Sequence, residues 1–135
     1  MLEHSDPDGA EKEFREIVSQ SHDRKLAPVA LAYGGLARLA VARHDPAAAL
    51  AASSRAIDVF DHVTGPRDVR MAPKLWLIRA EGLLESGDAV GARQLAQRAL
   101  DADQRYDHPS SPDIAEAEAT LRAAKAAITA GAKQP

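Results

Sequence analysis

The sequence predicts an all-α fold built from repeated helical hairpins, and three observations lead there. Hydrophobic residues make up 45% of the 135 residues but aromatics only 4%, and much of the apolar share is alanine. Small side chains suit helices that cross at close range, whereas a sandwich or barrel needs Val, Ile and Tyr in quantity. Second, three segments align: SDPDGAEKEFREIV (5–18), HDPAAALAASSRAI (44–57) and GDAVGARQLAQRAL (87–100). In each, an Asp (Asp6, Asp45, Asp88) is followed at helical spacing by Ala10, Ala49 or Ala92, then Phe14, Ser53 or Ala96, then Ile17, Ala56 or Ala99. Val18, Ile57 or Leu100 completes a stripe along one helix face. Third, the aspartates recur after 39 and then 43 residues, a period that signals repeated structural units.

Six helices follow, over about 7–20, 27–43, 46–61, 71–86, 89–104 and 112–130. Asp is a good N-cap, because its carboxylate accepts bonds from the free amides of a first helical turn. Pro7 and Pro46 then occupy the first helical position, where a missing N–H costs nothing. An Asp with Pro five residues on (Asp23 and Pro28, Asp68 and Pro73, Asp107 and Pro112) marks the approach to each first helix of a pair. His44 stands where the third segment has Gly87, at a helix C-terminus that favours left-handed backbone, so His44 is expected to be strained there. The chain reads as one domain over 1–135, with a partial repeat at 1–22, repeats at 27–61 and 70–104, and a capping helix at 112–130. The first helix lacks its partner.

The match extends between the segments. Adding 43 to Tyr33, Ala37, Asp45, Ala49, Arg55, Ala56 and Asp58 gives Trp76, Ala80, Asp88, Ala92, Arg98, Ala99 and Asp101, identical except for the exchange of one aromatic for another. This pattern resembles the tetratricopeptide repeat: an aromatic, then Leu36-Ala37, a turn with Asp45 or Gly87-Asp88, and Ala at helical spacing. The spacing exceeds the usual roughly 34 residues and is similar to the long variety found in kinesin light chains and many bacterial regulators. RYDHPSSPDIAEAEATL (105–121) resembles the inter-repeat loop of that variety. Arg79, Ser53, Ala96, Asp61 and Gln104 depart from the family pattern. The resemblance implies a right-handed α-solenoid of antiparallel helix pairs, about two and a half to three repeats with a C-terminal cap. It further implies recognition of a protein or peptide on a concave groove lined by Leu31, Gly34, Arg38, Val41, Lys74, Leu77, Glu81 and Leu84. The Lys and Asn clamp of the chaperone-binding members has no counterpart at Gly34 and Leu77.

Residues that invite catalytic readings have plainer ones. The five histidines (His4, His22, His44, His62, His108) fall at turns, with no helical pair or HExxH arrangement for a metal. Ser53-Ser54 and Ser110-Ser111 lack a nucleophile elbow. Tyr33-Gly34-Gly35 lies mid-helix without the Lys of a phosphate loop, and points to close approach by another backbone. Glu81 with Glu85, and Glu116 with Glu118, suit a solvated face.

No cofactor and no catalytic residue is therefore expected. Zero cysteines exclude disulfides and thiolate metal sites and suit a reducing, cytoplasmic location. The N-terminus lacks a signal-peptide pattern, and no stretch approaches a membrane span. A net charge of −3 with interleaved signs argues against nucleic acid. The expected role is a non-enzymatic scaffold or adaptor. The alternative is a self-associating or regulatory segment of a larger bacterial-type regulator, dimerising through Phe14, Ile17 and Val18 on the unpartnered first helix.

Overall fold

The structure, a computed structural model, describes residues 7–21, 26–63 and 69–132. Among these residues the chain is all-helical, with α1 Pro7–Ser21, α2 Ala27–Ala42, α3 Pro46–Asp61, α4 Met71–Glu85, α5 Ala89–Tyr106 and α6 Pro112–Ala132. His4, Asp6, His22, Asp23 and Asp68 lie outside the described residues. The chain divides into two compact units, Met1–Arg67 with α1 to α3 and Asp68–Pro135 with α4 to α6.

Each unit contains one tight helical hairpin, and the two hairpins turn in the same way. In the first, the His44 amide donates to the Val41 carbonyl (3.0 Å) and the Asp45 amide to the Ala40 carbonyl (2.9 Å). In the second, the Gly87 amide donates to Leu84 (3.2 Å) and the Asp88 amide to Leu83 (2.9 Å). This pairing of bonds closes a helix only when the residue past its end is left-handed. His44 has φ 56° and Gly87 φ 99°. The next residue then starts the following helix. Asp45 Oδ1 accepts from the Ala48 amide (3.2 Å), and Asp88 Oδ1 from the Gly91 amide (2.9 Å). Pro46 fills the first position of α3, as its fixed φ favours.

The helices of each hairpin meet on small side chains. Ala37, Ala49 and Ala56 in the first unit, and Ala80, Ala92, Ala96 and Ala99 in the second, expose no surface at all. Ser53 is buried with those of the first unit, and its hydroxyl donates to the Leu50 carbonyl (3.2 Å), a bond that offsets the cost of taking it out of water.

Larger side chains fill in around these crossings, from the hairpin helices themselves (Val59 and Phe60, Leu75 and Ile78) and from the outer helix of each unit. In the first, α1 packs on α2, and a Cβ placed on Gly35 would overlap the Phe14 ring. The missing side chain at Gly35 thus seats an aromatic ring, where a second backbone was expected. Arg43, at the end of α2, bonds Asp8 (3.0 Å) and Glu11 (2.8 Å) in the first turns of α1, so the two helices run antiparallel. Exposed ion pairs of this kind add little to stability, because water screens them. The half-buried Phe14 is the stronger fastening, since a fully buried Phe contributes about 1.5–3 kcal/mol. In the second unit, Ile114, Ala117 and Leu121 of α6 close a core with Leu77, Ala80, Ala96, Ala99 and Leu100. Trp76 and Leu95 pack at its margin.

Two outcomes test this account. Relieving the left-handed strain, His44→Gly is expected to raise stability by about 0.5–1 kcal/mol, read as a higher melting temperature. Ala49→Leu is expected to overpack the α2–α3 crossing and cost about 1–3 kcal/mol in chemical denaturation. Unchanged unfolding would mean that the crossing is not there.

Candidate functional site

The first unit holds a cleft of about 340 Å³ formed by α1, α2 and α3. Its floor is one face of α2, where Tyr33, Leu36 and Ala40 succeed one another at helical spacing, with Arg43 at the rim one turn on. The α3 wall is Ala48, Ala51, Ala52 and Arg55, and the α1 wall is Glu11 and Arg15. Alanine is the reason the space exists: α3 presents short side chains opposite Leu36 and Leu39, so the aliphatic floor is left uncovered.

The rim is a chain of charges. Glu11 accepts from Arg43 through Oε1 (2.8 Å) and from Arg15 through Oε2 (2.8 Å from Nη2 and 3.0 Å from Nε). The bond from Arg43, then that from Arg15, holds the Glu11 carboxyl below the usual carboxylate range. Glu11 in turn pushes the Arg43 guanidinium up. Arg55 lies over the Tyr33 ring, 5.3 Å from its centroid. Its guanidinium is held above the ordinary value by the Tyr33 hydroxyl first and by Asp58 last. The second unit repeats the arrangement more tightly, with Arg98 at 3.9 Å over the Trp76 ring. Such stacking contributes about 0.5–1 kcal/mol at an exposed site. Three guanidiniums therefore surround an aliphatic floor. The two rim carboxylates are already engaged, Glu11 by two arginines and Asp45 by the α3 amide. Each guanidinium carries five N–H donors, more than these contacts consume.

The residues anticipated for a groove are distributed differently. Leu31 is 56% exposed, Arg38 is exposed and Val41 is half-buried, while Gly34 is buried. In the second unit Leu77 is 3% exposed, because α6 joins it in the core; it is a packing residue and not an open groove position. Lys74 is bonded to Asp113 of α6 (3.2 Å), and Glu81 and Leu84 are half-buried. Of the residues proposed for self-association, Phe14 is spent on α2, Val18 is half-buried and Ile17 is 37% exposed. The cleft residues Glu11, Arg15, Leu39 and Arg43 were not anticipated from the sequence. The signal that existed was the Tyr33–Arg55 and Trp76–Arg98 recurrence, which marked the ring and its cation without giving them a role. Among the described residues, no three His, Asp or Glu side chains converge to hold a metal ion. No helix among them is long and apolar enough to cross a membrane.

Arg43→Met is expected to return the Glu11 carboxyl toward its ordinary titration range, an upward shift followed by NMR of its side-chain carbon. An unmoved Glu11 titration would show that Arg43 does not hold it in solution.

Comparison with family models, with curated proteins and with solved structures returned no match for this chain.

Proposed function

We propose that the chain is a non-enzymatic interaction module built of tetratricopeptide-like repeats, holding a short peptide or helix in the α1–α3 cleft. The repeat reading is supported by two hairpins, 43 residues apart, that share a left-handed turn, an Asp cap, an alanine crossing and an arginine over an aromatic ring. The observation that carries the binding reading is the cleft: an aliphatic floor ringed by Arg15, Arg43 and Arg55. The occupant it suits has aliphatic side chains flanked by Asp or Glu, the former for Leu36 and Leu39, the latter for the guanidiniums.

A random peptide library panned on the full chain is expected to enrich an aliphatic and acidic consensus. Ala51→Arg, which fills the cleft from an exposed position, is expected to weaken such a peptide at least about tenfold by fluorescence anisotropy, roughly 1.4 kcal/mol. Leu31→Arg, on the face implied by the family resemblance, is expected to leave it unchanged. Loss with Leu31→Arg alone would move the site to that face, and no consensus at all would overturn the reading.

The exposed Ile17 favours a second reading, self-association through α1. It requires a dimer in light scattering that Ile17→Asp dissociates.

A further inference from the structure

Asp103 is a carboxylate buried near the end of α5. An offset of 43 sets it opposite Phe60, and both residues are buried, Phe60 at 4% and Asp103 at 5% exposure. The second unit therefore carries an ionisable group where the first carries a ring. Charged groups from α4, α6 and the end of α5 itself act on it. Asp107 follows one turn on, at the end of α5; Asp113 and Glu116 belong to α6; Lys74 belongs to α4 and is bonded to Asp113 at 3.2 Å.

We propose that the α5–α6 junction is a proton-operated latch, in which a proton on Asp103 seats α6 against α4 and α5 and its loss loosens α6. The ionised carboxylate is disfavoured twice. It is desolvated, and its charge repels Asp113 and Glu116 on the helix that must dock. Lys74 opposes this only in part, being shared with Asp113. Burial above all, then Asp107 and Asp113, push the Asp103 carboxyl up to about 6. An unfolded Asp titrates near about 3.9, so the docked state binds the proton more tightly. Docking is accordingly firmest at low pH and weakens as pH rises through about 6. The loosened helix carries away Ile114, Ala117 and Leu121 and uncovers Leu77 and Leu100. The latch thus governs the exposure of this apolar face. It stands independently of the cleft in the first unit.

The chain's one tryptophan, Trp76, borders this core and reports on it. Trp76 emission of the full chain, titrated from pH 8 to 5, is expected to follow one proton with a midpoint near 6. Amide exchange in α6, normalised to intrinsic rates, is expected to slow by roughly tenfold over that range relative to α4 and α5. Asp103→Asn should hold the low-pH signal throughout, and Asp103→Leu, which imitates the apolar sibling position, should do the same if the amide is poorly tolerated. Lys74→Gln should move the midpoint upward, while His108→Gln should keep the transition. A flat wild-type titration, a transition that survives in Asp103→Asn and Asp103→Leu, one that disappears with His108→Gln, or equal loss of protection in α4, α5 and α6 would each overturn the proposal.

Discussion

Helix direction in both units is decided where one left-handed residue hands over to one aspartate. The residue past the helix end, His44 or Gly87, takes positive φ so that two amides reach back to the last carbonyls. The aspartate behind it donates its amide backward and accepts with its carboxylate forward. One residue thus satisfies orphan groups at two helix ends at once. Everything downstream inherits the angle set there, including which face of α3 or α5 meets its partner.

That inherited face is lined with alanine, and the choice has two sides. Alanine buries little apolar surface, so each crossing contributes modestly to the hydrophobic term. In exchange the helix axes come close, and ordering the side chains carries almost no rotamer entropy. The deficit in bulk is made up by Val59 and Phe60 on α3 and Leu75 and Ile78 on α4, and from the outer helices by Phe14 on α1 and by Ile114 and Leu121 on α6. Each hairpin is therefore completed by an outer helix. The two completions differ in kind: a ring against bare glycine backbone in one unit, an aliphatic core with a buried carboxylate at its edge in the other.

What could be read in advance was what is local. Capping by Asp45 and Asp88, the positive φ at His44 and the small residues of the crossings all follow from spacing along a single helix or turn. What depended on distant chain was less legible. A stripe such as Leu77 and Leu84 looks the same whether a neighbouring helix covers it or leaves it open, and here α6 buries Leu77. Gly35 announced a close approach, but only three-dimensional structure identifies the visitor as Phe14, 21 residues earlier. The bridge from Arg43 to Asp8 and Glu11 left no trace in the pattern, because surface charges carry no periodic signature. The cleft combines three helices and belongs to that class. Asp103 stood in plain view as the mismatch with Phe60, once the offset of 43 was known.

The double use of Asp45 and Asp88 leaves the hairpin turn without slack. A residue inserted there separates the carboxylate from one of its two tasks. If the helix absorbs the extra residue instead, it rotates by about 100° about its axis and carries Ala49 and Ala56 off the crossing. Point substitutions such as the His-for-Gly difference between the two turns are tolerable, whereas changes of length are not. Among related chains the hairpin turns should hold their length even where their residues vary, and insertions should accumulate elsewhere.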